Sequence, residues 1–243
     1  HQAGRLHEAE ALYRQILQAQ PSHLDALHLL GVVAFQRGQH QSAIDSISKA
    51  IAIKDSVPEF HSNLGEAYRA LGRPDDAAAS YRRALALNPD LPEALLNLGI
   101  VLGEQGLQEE AVAYFRRAVA VKPHNAEAYS NLGIVLGLLG RLEEAVASFR
   151  LALAVNPTFA VAHNNLGNIF KDQGRLEEAN ACYRRALALN PDYASAHSNL
   201  LFALNYDPDR SGEEIFAAYQ EYDTRFGMPH RGQWRPHSNS REA

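Results

Sequence analysis

Asn97-Leu98-Gly99 is the stretch on which the reading of this chain turns, because the same tripeptide recurs at Asn63, Asn131 and Asn165, and as Asn-Leu at Asn199. The step between successive copies is always 34 residues. Other residue types keep the same step. Prolines stand at Pro89, Pro123, Pro157 and Pro191, with Pro21 two periods before the first and Asp55 in the gap. Glycines stand at Gly4, Gly38, Gly72, Gly106, Gly140 and Gly174, and alanines at Ala9, Ala43, Ala77, Ala111, Ala145 and Ala179. Each period thus reads as one helix around the Asn, a turn at the Gly row, a second helix around the Ala row, and a stop at the Pro. Such a unit cannot bury its apolar face alone, so copies must stack.

A 34-residue period with this pattern resembles the tetratricopeptide repeat. The resemblance implies an all-α fold: a right-handed α-solenoid of antiparallel helix pairs with a C-terminal capping helix. Residues 1–23 read as a partial repeat, the second helix only, with Gly4 in its turn and Ala9, Leu12, Tyr13, Ile16 and Leu17 on its apolar side. The superhelix occupies 24–204 as units 24–57, 58–91, 92–125, 126–159 and 160–193 and a half unit 194–204. Pro58 and Pro92 suit a first helical turn, where a backbone N–H has no partner anyway. Leu98 and Gly99 face the second helix, where Ala111 and Ala118 keep the backbones close, while Phe115 fills the space between adjacent repeats. Tyr81, Phe149, Tyr183 and Ile47 take the place of Phe115 in other units.

The period breaks after Asn199. Leu201 replaces the helix Gly and Pro208 the turn Gly. A capping turn and helix follow over 205–226, with Ser211 and Glu214 in capping-box spacing and Ile215, Tyr219, Tyr222 and Phe226 on one face. Residues 227–243, with Trp234, Pro236 and Arg231, Arg235 and Arg241, read as an extended linker.

Composition excludes several function classes. The 243 residues carry 23 Lys and Arg against 28 Asp and Glu, net −5, so there is no basic field for nucleic acid or anionic lipid. No apolar run reaches the roughly 20 residues of a membrane span. The single Cys182 excludes an internal disulfide framework and suits a reducing, cytoplasmic setting. It stands where Ser46, Ser80 and Ser148 stand in other units, an incidental small residue. The chain starts with His1, which suggests that it begins inside a longer array.

Nothing in the chain has catalytic spacing. His61, His163 and His197 are repeat-related, in the position that Leu27, Leu95 and Tyr129 fill elsewhere, and no Cys/His cluster has metal-ligand spacing. No Gly-rich phosphate loop or nucleophile elbow occurs, so no cofactor is expected.

The Asn row is the candidate site. On each first helix the residues four before and three after the Asn share its face. The stripe reads Glu59, Asn63, Glu66; Glu93, Asn97, Ile100; Glu127, Asn131, Ile134; Val161, Asn165, Asn168; Ser195, Asn199. It lies opposite the packing face and lines the concave groove. An Asn amide suits such a groove, because its one carbonyl acceptor and two N–H donors match a peptide unit whatever the peptide's side chain. The candidate groove residues are Asn63, Asn97, Asn131, Asn165, Asn199, Asn164, Asn168 and Lys171, with proteins or extended peptides as partners. A purely structural role, joining neighbouring helices, stays open. Lys171 and Arg69 are the only groove cations among several carboxylates, which argues against a clamp for acidic C-termini. Leu29 replaces the Asn in the first full unit. A homodimer through the convex face is also open.

Two stretches extend the resemblance. Val161–Ala179 resembles the repeats of protein O-GlcNAc transferases and their bacterial and plant relatives. His197–Asp209, the helix Glu213–Phe226 and Pro236–Asn239 resemble the junction where bacterial, SPINDLY-type members pass into their glycosyltransferase domain. The resemblance implies a parent enzyme using UDP-GlcNAc or a related donor on protein Ser or Thr, with the Asn row holding the acceptor backbone. This chain would be its non-catalytic substrate arm. The alternative is a stand-alone adaptor or scaffold.

Overall fold

The structure, a computed structural model, describes residues 2–208 and 210–229. Every regular element among them is helical, and the chain divides into two compact units, His1–Leu139 and Gly140–Ala243. The first unit holds α1 (Gln2–Ala19), α2 (Leu24–Gln36), α3 (His40–Ile53), α4 (Pro58–Ala70), α5 (Pro74–Leu87), α6 (Pro92–Glu104), α7 (Gln108–Val121) and α8 (Ala126–Leu138). The second holds α9 (Leu142–Val155), α10 (Ala160–Asp172), α11 (Leu176–Leu189), α12 (Ala194–Asn205) and α13 (Gly212–Tyr222).

Local chemistry ends each helix where the period says it should. Gly38, Gly72 and Gly106 have φ of 74°, 69° and 79°, a conformation that is strained for any side chain. The residue after each glycine returns its N–H to the helix, as Leu107 does to the Leu102 carbonyl at 2.9 Å, closing a Schellman-type stop. The next helix is then opened by charge. Arg73 donates to Asp76, Arg141 to Glu144 and Arg175 to Glu178 across three residues. The acids sit in the first helical turn, where the helix dipole favours them. Pro58 and Pro92 occupy the first turns of α4 and α6 as expected.

The paired helices close on glycine. A Cβ on Gly65 would lie 2.6 Å from Tyr81, one on Gly99 2.7 Å from Phe115, and one on Gly167 2.6 Å from Tyr183. Each ring is therefore laid over the bare backbone of its own repeat's first helix. Ala43, Ala77, Ala111, Ala145 and Ala179 are fully buried. Burying one such aromatic is worth about 1.5–3 kcal/mol, and the small residues are what permit it.

The repeat histidines serve the loops. Nε2–H of His61, His163 and His197 donates to the carbonyl six residues earlier, Asp55, Pro157 and Pro191, at 2.9, 3.1 and 3.0 Å. Each bond ties the start of a first helix to the loop before it.

Three expectations need correction. Gly4 lies inside α1 rather than in a turn, since nothing in the local sequence stops the helix there and glycine costs only about 1 kcal/mol in a helix. On α1, Leu12 and Ile16 are exposed, and the buried member is Glu10, paired with Arg14 at 2.6 Å and with Arg37. α1 packs chiefly on α2, with half-buried Leu17 reaching the core cluster, so only part of its apolar side is covered. At the other end, residues 227–229 are not extended. α13 runs on into a π-helical turn, Asp223–Gly227, and Met228 keeps helical dihedrals. Phe226 and Tyr222 pack edge-on against His197, and Arg225 bonds Asp192 at 2.9 Å, which holds the chain helical there. Trp234, Arg231, Arg235, Pro236 and Arg241 lie outside the described residues.

α13 carries the capping box from Ser211 to Glu214. Its apolar side covers the stack only partly, since Tyr219 is exposed and a gap of about 360 Å³ remains beside Leu187, Leu200 and Leu204. A polar clasp absent from the sequence reading secures the turn. Buried Asn180 donates to Asp207 at 3.2 Å, and Arg210 bonds the same carboxylate at 3.0 Å. Asn180 stands where the other units have Ile44, Ala78, Val112 and Val146, and that change of residue type was the signal available.

Candidate functional site

In the first unit, α4, α6 and α8 set Asn63, Asn97 and Asn131 on one face, all half-buried. The rungs differ in what they touch. Asn63 Nδ2 donates to Nε2 of His28 at 2.7 Å, so that imidazole carries its hydrogen on Nδ1. Burial lowers the His28 imidazole below its ordinary value, against the raising influence of Asp25 and Glu59. Asn97 Nδ2 donates to Glu66 Oε1 at 3.1 Å. Burial lifts the Glu66 carboxyl above its ordinary value, opposed by the Asn97 bond and Arg69 and assisted by Glu93.

Asn131 is the exception. Among the described residues its side chain has no hydrogen-bond partner. The reason is in the preceding repeat. A rung reaches back 35 residues, as Asn63 does, or 31, as Asn97 does. For Asn131 those positions are Leu96 and Ile100, which offer nothing polar.

Beside Asn131 lies a cavity of about 230 Å³, open to solvent and bounded chiefly by Gly99, Ile100, Gly103, Phe115, Ile134 and Leu138. Its walls are almost wholly apolar. Leu138 is 69% exposed and Ile134 38%, so both present apolar surface to the hollow. Glu104 stands exposed at the rim with no ion-pair partner among the described residues. Glu59, Glu93 and Glu127 are exposed on the same face, Glu93 with Lys122 at 3.7 Å.

The second unit spends its amides internally. Asn164 is 4% exposed. Its Oδ1 accepts from Asn199 Nδ2 at 3.0 Å and its Nδ2 donates to Asn165 Oδ1 at 3.2 Å. It is therefore a buried bridge rather than a groove-lining group, because position 164 turns toward the next first helix. Asn168 Oδ1 accepts from the buried Tyr183 hydroxyl at 2.9 Å. Lys171 lies 3.5 Å from Asp172 and 5.5 Å from the Phe202 ring centre. Exposed Phe202 and Tyr206 stack at 4.7 Å beside it.

No group of three or more His, Cys, Asp or Glu among the described residues is placed to hold a metal. None of the described helices is long and apolar enough to cross a membrane. Burial pushes the Cys182 thiol up to about 11, which keeps it protonated at neutral pH.

Two family models match the chain. One, described as a tetratricopeptide repeat, takes in residues 2–58 and 96–158; the other, described as a TPR repeat, takes in 65–106 and 167–204. A search of curated proteins finds no match. Among solved structures, PilF of Pseudomonas aeruginosa superimposes with a TM-score of 0.73 at 22% identity, over 86% of this chain and 92% of its own. YrrB, described as a TPR protein with an unusual peptide-binding site, gives 0.65 at 21% identity, over 76% and 95%. One MamA structure gives 0.63 at 25% identity, over 68% and 96%.

Proposed function

Because this chain belongs to the tetratricopeptide-repeat family, we propose that it is a scaffold holding extended segments of other proteins on the face carried by its first helices. The observation that carries the reading is Asn131. Its amide offers one acceptor and two donors, none engaged within the protein among the described residues. An unused amide at a repeat-fixed position, half-buried beside an apolar hollow, fits the C=O and N–H of a peptide backbone. Asn63 and Asn97 flank it and exchange their present partners for a peptide at small cost, since His28 and Glu66 are only half-buried and stay within reach of water. That YrrB, a protein of the same fold, has a peptide-binding site supports the reading.

The test uses peptides selected from a random-peptide phage library and measured by fluorescence anisotropy. Asn131→Ala removes no hydrogen bond made among the described residues, so its effect on binding is separable from its effect on folding. A loss of roughly three- to tenfold in affinity, the worth of one or two hydrogen bonds, is expected with an unchanged melting temperature. Unchanged affinity, or a library that yields no binder, overturns the proposal.

The resemblance of 197–239 to the repeat-to-catalytic junction supports a finer reading, in which the scaffold is the substrate-recruiting arm of a protein O-GlcNAc transferase-like enzyme and works in the cytoplasm, where the single Cys182 thiol stays reduced. Sequencing the gene beyond the Ala243 codon tests it. Two α/β lobes downstream sustain the reading, and a stop codon leaves a stand-alone adaptor.

A further inference from the structure

We infer that the hollow beside Asn131 is a side-chain pocket, and that it makes the first unit select extended peptides carrying an aliphatic side chain next to a lysine or arginine. The inference rests on the peptide-binding reading above and adds sequence preference to a ladder that by itself reads only backbone.

The pocket exists because of one missing side chain. At the position of Gly103 the other first helices carry Phe35, Arg69, Gly137, Lys171 and Asn205. Gly137 apart, each of them places a side chain at this point of the helix. At Gly103 nothing stands there, and the floor is Phe115, which lies against Gly99. Ile134 and Leu138 of α8 form the far wall. The volume, about 230 Å³, lies below the roughly 300–1,000 Å³ typical of small-molecule sites, so the natural occupant is a single side chain.

Polar groups at the two edges specify the rest of the occupant. The Asn131 amide at the pocket edge pairs with the backbone of the residue whose side chain enters. Glu104 at the rim, with Glu127 and Glu59 along the same face, supplies negative charge without an ion-pair partner among the described residues, so a flanking basic residue is favoured and an acidic one repelled. An apolar anchor surrounded by polar contacts is the usual arrangement of an energetic centre in recognition.

Filling the pocket tests this. A Cβ on Gly103 would meet Val135 at 3.6 Å and Ala111 at 3.9 Å, ordinary contacts, so Gly103→Ala is expected to fold, and Gly103→Leu is expected to fill the hollow that Gly103 borders. Leu138→Ser opens the wall at an exposed site and guards against a folding defect in Gly103→Leu. The random-peptide library is panned against each protein. The inference predicts that peptides from the parent protein share an aliphatic residue beside Lys or Arg, and that Gly103→Leu and Leu138→Ser weaken them roughly ten- to hundredfold, the worth of one buried aliphatic side chain. Glu104→Lys is expected to abolish the basic preference alone. If selected peptides lose affinity on Asn131→Ala but show no such preference and ignore Gly103→Leu and Leu138→Ser, the pocket inference is overturned while the groove reading stands. If Asn131→Ala is also without effect, both fall.

Discussion

Asn131 in the first unit and Asn199 in the second occupy equivalent places in their repeats, yet one amide is open and the other is committed. Asn199 reaches back 35 residues and finds Asn164, a buried amide that in turn holds Asn165. Asn131 reaches back to Leu96 and Ile100 and finds only hydrocarbon. Identical residues in identical phase thus do different work, because the partner comes from the neighbouring repeat. An amide ladder is joined by its neighbours as much as by its own helix, and a rung is free to bind only where those neighbours cannot use it.

The largest expected effect contrasts two glycines on α6. Gly99→Ala drives a methyl group into the buried Phe115 ring and should cost about 1–3 kcal/mol. Gly103→Ala, one turn later and meeting only ordinary contacts, should gain up to about 1 kcal/mol through helix propensity. Urea denaturation compares them, and equal effects would show that Gly103 does not border open space. Next, Asn164→Ala should destabilise by about 1–3 kcal/mol, since it strands two neighbouring amides, whereas Asn131→Ala should leave stability within about 0.5 kcal/mol. If the two cost the same, the contrast between the units disappears.

Titration sharpens the other rungs. His28 has a lowered folded-state value, so the unfolded chain binds the proton more readily. Stability from His28 is complete above the ordinary imidazole value of 6.5 and is lost as pH falls through the lowered one. His28→Gln, which keeps an acceptor for Asn63, should flatten that part of the melting profile. The smallest effect concerns Glu66. Its raised value means that stability from its protonated form is present below the ordinary value of 4.5 and is lost as pH rises through the raised one. Glu66→Gln should therefore melt slightly higher than the parent protein at neutral pH and no higher in acid, read by calorimetry at both.

Much of the fold was legible because its causes are local. Turn glycines and prolines at first helical positions act within one repeat, and the period multiplies each signal; the Ser211–Glu214 capping box stands outside the period but acts within a single helix start. The α1 face and the 227–229 segment escape such a reading for the opposite reason. Leu12 and Ile16 needed a covering helix that α1 does not have among the described residues, and 227–229 is held helical by Phe226, Tyr222 and Arg225 meeting residues well before them in the chain.

The sequence by itself determined the period, the helix pairs and the alignment of the Asn row on one face, since these follow from backbone geometry and the 34-residue step. Only the tertiary structure decided which rungs are spent, that Asn164 is a bridge, that Asn180 and Asp207 clasp the last turn, and that the absent side chain of Gly103 leaves a hollow over Phe115. Those outcomes depend on which atoms the next repeat brings within about 3 Å, a distance that spacing along the chain does not encode.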